Sequence, residues 1–233
     1  MDSSLHRLLF TFVVALALPA QAARTVAAQA DESAEREITR SLKDALAASA
    51  NAAIRRLGTE DGFLRNQQAR IALPEGLSRA AAGLRRFGMG RYPAELETTL
   101  NRAAESAVPE LRVPSSNAIS RITFADVRAA VNAGDETAAQ YFRRQTYADM
   151  ATRFLPAVQA ATRHLRTAEA YQQVAGRAAK VGLVSADAAK LDEYIASKAL
   201  DAVYAAMADE ERAMRAYSIR QTRTAVRRVA GTR

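Results

Sequence analysis

YPAELETTLNRAAESAV, Tyr92 to Val108, is the stretch whose reading decides the fold class. Leu96, Leu100, Ala103 and Ala107 recur every three or four residues, the spacing that places them on one face of an α-helix. Pro93 stands in the first turn, where its missing N–H costs no helical bond, and Pro109 ends the run. Glu97, Asn101 and Glu105 follow one another along the edge of that apolar face. This polar stripe has two readings. It points into a groove and meets a ligand, or ion pairs with Arg102, Arg143 or other arginines close it and pin helices together. Closure is the expectation.

The helical period continues on both sides. Ile38, Leu42, Leu46, Ala53 and Leu57 predict a first helix from about Ser33, with Gly58 as its C-cap. The next segment, GTEDGFLRNQQARIALP over 58–74, breaks the rhythm at Asp61-Gly62, yet carries Phe63, Leu64, Ile71 and Leu73. It reads as a structured loop fastened to the core, of a length that is often functional. A helix is predicted over Glu75 to Phe87, and a shorter one holding Ala118, Ile119 and Ile122 after a break at Pro114. Thr123 with Asp126 forms the N-terminal signal of another helix, ending near Gly134. Asp135 is the expected cap of the longest run, which carries Tyr141, Phe142, Met150, Phe154 and Val158 and which Pro156 should kink or split. Helices over Ala168–Lys180 and Ala188–Tyr217 and a separate basic helix over Ile219–Ala230 complete the chain. Only Ala69 to Leu73 resembles a strand. The class is all-α: a single-domain bundle of roughly seven to nine helices with one long structured loop.

The N-terminus specifies an address. Arg7, the apolar run Leu8 to Leu18, Pro19 and the triplet Ala20-Gln21-Ala22 are laid out as a secretory signal peptide over 1–22. The run is shorter than the roughly 20 apolar residues of a bilayer span. Residues 23–32 read as a flexible leader, with Ala28-Gln29-Ala30 a second acceptable cleavage site, and 33–233 as one helical domain. A periplasmic or secreted location is expected, with no transmembrane span in the mature form. The mature chain, roughly 200 residues, is long enough to bury a core unaided. It contains no cysteine, so neither disulfides nor thiolate ligands are involved.

The charge of +8 is concentrated at one end: Arg212 to Arg233 holds seven arginines and no acid. On a helix, Arg220, Arg223 and Arg227, with Arg228 beside them, could lie against an anionic membrane surface, or simply form a solvated basic end. Interleaved Tyr141-Phe142-Arg143-Arg144 could stack bases or sugars, but aromatics at helical spacing are core residues first, and an exported address argues against nucleic acid. There is no serine-hydrolase elbow, phosphate-binding loop or paired-histidine zinc motif. Once His6 leaves with the signal, His164 is the sole imidazole, and Arg163 and Arg166 beside it disfavour a cation. Neither metal nor cofactor is expected.

Taken in order, LGTEDGF, Asn66, RIALP, LRRFGMG, ELETTLNRAAE, GDETAAQYFRRQT, RFLP and LDEYIASKALDAVYAAMADEERAMR resemble an uncharacterised bacterial family of exported helical proteins, domain of unknown function 4197. The resemblance covers about Leu42 to Gly231 and implies export and a helical domain, with no activity, cofactor or substrate. The chain departs from the family pattern at Ala202-Val203-Tyr204, where Gly-Leu-Phe is usual, and at Ala216 to Arg220, where Asn-Pro-Ala-Ala-Arg is usual.

Two functions follow. The first is a non-enzymatic envelope protein that binds a partner or small ligand through Asp61, Asn66, Glu97, Asn101, Glu105 and Arg143, with the tail as an anionic-surface contact. The alternative is an envelope hydrolase using Glu97 or Glu105 as a single general acid or base. Those two carboxylates lie about 12 Å apart along the helix, too far for a glycosidase pair.

Overall fold

The computed structural model describes residues 18–132, 137–180 and 190–230, with side chains described within 31–217. The helices are α1 (Leu18–Leu57), α2 (Glu75–Arg86), α3 (Arg91–Ala107), a 3₁₀ turn (Val108–Leu111), α4 (Arg112–Ser120), α5 (Phe124–Asn132), α6 (Ala138–His164), α7 (Thr167–Lys180) and α8 (Leu191–Ala230). No strand occurs among the described residues. The chain is therefore an all-α single domain, as its periodicity predicts.

Helix α8 packs against both α1 and α6; α3 lies against α6 and α7; α2 covers α7; α4 and α5 lean on α1. Ile54, Leu57, Leu96, Leu100, Phe154, Ile195 and Leu200 make one continuous core. Ala53, Ala103, Ala104 and Ala199 are fully buried among them, and such small side chains let helix backbones approach closely. Among the described residues, no helix is long and apolar enough to cross a membrane.

The element boundaries differ from the expectations in five places. Helix α1 begins at Leu18 rather than near Ser33, so the stretch expected as a leader has helical backbone. Its alanine-rich sequence has high helix propensity, and its proline, Pro19, stands at the first turn. Pro114 does not break the chain, because it falls in the first turn of α4, directly after the 3₁₀ turn. Pro156 does not split α6. Buried Phe154 and Val158 flank it on the core face, and that packing offsets the single lost backbone bond. The cap of α6 is Thr137, which forms a reciprocal capping box with Gln140; Asp135 lies outside the described residues. Finally, α8 runs unbroken through 218, so the basic terminal segment continues a core helix rather than forming a separate one.

Candidate functional site

The loop over 58–74 lies across α3, and the polar stripe is what holds it there. A loop that buries Phe63 and Ile71 also buries backbone N–H and C=O groups, and each needs a partner. Asn101, fully buried, satisfies both groups of Ile71. Its Oδ1 accepts from the Ile71 N–H at 2.8 Å, and its Nδ2 donates to the Ile71 carbonyl at 2.9 Å and to the Glu97 carbonyl at 2.7 Å. The extended segment that resembles a strand thus pairs with one side-chain amide instead of a second strand.

Glu105 performs the same service one turn on. Its Oε1 accepts from the consecutive N–H groups of Phe63 and Leu64, both at 3.0 Å, and its Oε2 receives Arg102 Nη1 at 2.6 Å. Arg102 Nη2 then reaches Asp61 at 2.8 Å and Glu60 at 3.3 Å. Hydrogen bonding to Glu105 is the main reason the Arg102 guanidinium holds its proton more tightly than usual. Glu97 is paired with Arg70 Nε at 2.9 Å. Asn66 Oδ1 accepts from the Gln68 and Ala69 N–H groups and closes a turn within the loop. Asp61 sits at φ 65°. Gly62 is required by close approach, since a Cβ there would stand 2.5 Å from the Leu57 carbonyl oxygen.

Of the six residues expected to bind a ligand, five are therefore brought together, and each is engaged by its own protein. The sixth, Arg143, is placed elsewhere: it pairs with Asp201 at 2.7 Å between α6 and α8, and stands 5.2 Å from the Tyr147 ring. Phe142 beside it is buried edge-on to Tyr204 of α8, and Arg143 lies on the exposed margin of the same α6–α8 interface. Closure by arginine holds for Glu97 and Glu105, through the expected Arg102 for Glu105 and through Arg70, rather than Arg143, for Glu97. The hydrolase alternative needed a carboxyl group open to substrate, and both carboxyl groups are occupied. Arg220, Arg223, Arg227 and Arg228 lie on the backbone of α8, and their side chains are outside the described residues.

An unfilled space lies elsewhere, between α1, α4, α5 and α6. It has a volume of about 120 Å³ and an apolar floor of Leu42, Leu46, Ala118, Ile122 and Phe142. Its rim is polar: Arg121, Asp126, Tyr141, Gln145 and Thr146. Two rim groups are fixed by local structure. Asp126 accepts from the Thr123 N–H and hydroxyl, both at 2.7 Å, and from the Tyr141 hydroxyl at 3.2 Å. The Thr123 N–H, then its hydroxyl, hold the Asp126 carboxyl below the usual carboxylate range, against the opposing effect of burial. Burial, then the bond to Asp126, raise the Tyr141 phenol. Asp126 follows from the capping signal at Thr123; the convergence of four helices on this cavity has no local signal in the sequence.

A family model described as "Protein of unknown function (DUF4197)" matches residues 32–231. No curated protein and no solved structure matches the chain.

Proposed function

The chain belongs to the DUF4197 family of proteins of unknown function, and from that premise we propose that it is a non-catalytic binding protein of the cell envelope. Its ligand is a small amphipathic molecule whose apolar part enters the cavity between α1, α4, α5 and α6. The observation that carries this reading is the pairing of an apolar floor with a polar rim in one concave site. An apolar cavity of about 150 Å³ takes a benzene-sized group, so this slightly smaller space suits a single ring or a short branched chain. Arg121 at the rim is positioned to meet an anionic head group. The envelope location rests on Arg7, the Leu8–Leu18 run and Ala20-Gln21-Ala22.

The test is titration with phenylacetate and benzyl alcohol, followed by thermal shift and by NMR. Both probes should stabilise the native chain by mass action, and phenylacetate should lose its advantage in Arg121→Ala. Ala118→Leu, which fills the space, should keep the fold and abolish both effects. Probes that bind Ala118→Leu as well as the native chain would sink the proposal. Cell fractionation tests the location separately.

A further inference from the structure

The turn between α2 and α3 presents a side chain that the fold does not need. Helix α2 ends in a Schellman motif: the Met89 N–H bonds the Leu84 carbonyl at 2.9 Å, and the Gly88 N–H bonds the Arg85 carbonyl at 3.1 Å. Gly88 takes φ +74° as that motif requires. The motif turns Met89 onto the core and leaves Phe87 at the tip, 65% exposed. The tip is open to solvent: a Cβ added at Gly88 would meet nothing within 4 Å.

Arginines flank this aromatic in the chain and gather on the neighbouring Tyr92. Arg85 packs its stem against Gly90, and Arg86 precedes Phe87. Arg91 donates to the Tyr92 hydroxyl at 2.9 Å and lies 4.6 Å from its ring centroid, while Arg177 of α7 stands over the same ring at 3.5 Å. The Tyr92 phenol is lowered from its ordinary value by the bond from Arg91, then by that from Arg177, a local sign of positive potential. Among the described residues, no carboxylate forms an ion pair with Arg85, Arg86, Arg91 or Arg177; Glu95 acts on Arg91 only at longer range. Elsewhere on α2 and α3, Arg79 and Arg102 each have an acidic partner. An open tip with one exposed aromatic, beside guanidiniums that have no carboxylate partner among the described residues, is complementary to an anionic surface with an apolar layer beneath it. A single-stranded nucleic acid would need a basic track with several stacking faces, and only one free ring is offered here.

We propose that the α2–α3 turn docks on an anionic lipid bilayer, with Phe87 entering the headgroup–acyl boundary and Arg85, Arg86, Arg91 and Arg177 meeting lipid phosphates. This surface is independent of the cavity and of the α8 tail, so it stands or falls separately from the function proposed above. The chain contains no tryptophan, which makes Phe87→Trp in the full chain a site-specific probe. Its emission should shift to the blue, and be quenched by brominated acyl chains, with phosphatidylglycerol-containing vesicles but not with phosphatidylcholine alone. Adding Arg85→Gln, Arg86→Gln and Arg91→Gln should lower vesicle partitioning about 100-fold, at about fivefold per charge. Arg220→Gln, Arg223→Gln and Arg227→Gln should leave the blue shift of the bound fraction unchanged. An indole that stays solvent-like on bound vesicles would overturn the proposal, as would undiminished partitioning of the three-arginine variant. Arginine-dependent binding to heparin with none to vesicles would overturn the lipid assignment in favour of a soluble polyanion. Circular dichroism of each variant verifies that the fold is intact.

Discussion

The loop clasped over α3 and the turn that leads into α3 use the same materials, arginines and an aromatic beside a helix, and arrange them in opposite ways. In the clasp, Phe63 is fully buried, and Glu97, Asn101 and Glu105 are each engaged by Arg70, by Arg102 or by loop backbone. In the turn, Phe87 is exposed and its arginines have no acidic partner among the described residues. A polar stripe on a helix edge is ambiguous in one dimension because its partners arrive from distant sequence. Here they came from a loop some 30 to 40 residues upstream, and the stripe became internal architecture. The turn received no carboxylate among the described residues: Arg91 and Arg177 rest on Tyr92, and Phe87 stays exposed.

The sharpest way to break this comparison is to open the clasp. Glu105→Ala leaves the Phe63 and Leu64 N–H groups without an acceptor and Arg102 without its closest anion. Each loop N–H left without an acceptor costs about 1–3 kcal/mol, and the Arg102 contact is lost with them although Arg102 keeps Asp61, so urea denaturation should show the largest loss of any substitution discussed. Glu105→Gln should lose less, since one amide oxygen can still accept from the loop. If Glu105→Ala unfolds at the native midpoint, the clasp is not structural and the stripe is again open to a ligand role.

Asn101→Leu comes next. It keeps the branch at Cγ but strands both backbone groups of Ile71, at about 1–3 kcal/mol for each unsatisfied group, and its larger side chain adds an overpacking cost at this fully buried site. The loss should appear as faster hydrogen exchange at Ile71 together with a lower midpoint. Asn101→Asp tests the donor half alone, because a carboxylate accepts from the Ile71 N–H and repels its carbonyl.

The sequence carried the fold further than it carried the site, for a physical reason visible in particular residues. Helix faces follow from local spacing, which is why Leu96, Leu100 and Ala103 could be assigned to the core before any packing was known. Caps are also local: Thr123 with Asp126 is readable, and Thr137 with Gln140 carries the same pattern two residues beyond the expected cap Asp135. Partners are not local. Nothing near Glu97 points to Arg70, and nothing near Ile71 points to Asn101, although an extended run with no second strand already demanded some donor and acceptor. Arg143 shows the same limit: helical spacing places it on an edge of α6, but not that Asp201 of α8 is the neighbour this edge faces. LRRFGMGRY did hold a readable signal, an aromatic and a glycine between two sets of arginines at a helix end.

Acid should separate a third, smaller contribution. Asp126 is held below its ordinary range by the Thr123 N–H and hydroxyl, so its folded value lies below its unfolded one. The stability it contributes is complete above the unfolded value, about 4, and is lost as pH falls through that value toward the folded one. Urea midpoints followed from neutral pH downward should therefore drop less steeply on the acid side in Asp126→Asn. At neutral pH, Thr123→Ala should cost about 1 kcal/mol, the ordinary value of a helix cap. An unchanged acid limb in Asp126→Asn would assign the acid sensitivity to other carboxylates.

The smallest effect sharpens the comparison from the other side. Arg85 and Arg86 stand in the last turn of α2, where the helix dipole favours cations. They also share that corner with Arg91 and Arg177, whose charges repel them. The two influences oppose each other, and neither side chain makes an ion pair among the described residues. Replacing both by glutamine should therefore move the melting temperature by less than about 2 °C, the shift that roughly 0.5 kcal/mol produces in a domain of this size. The same pair of substitutions should weaken binding to anionic vesicles. A stability loss comparable to that of Asn101→Leu would mean the turn's cations are structural after all, and the contrast between a satisfied clasp and an unsatisfied tip would collapse.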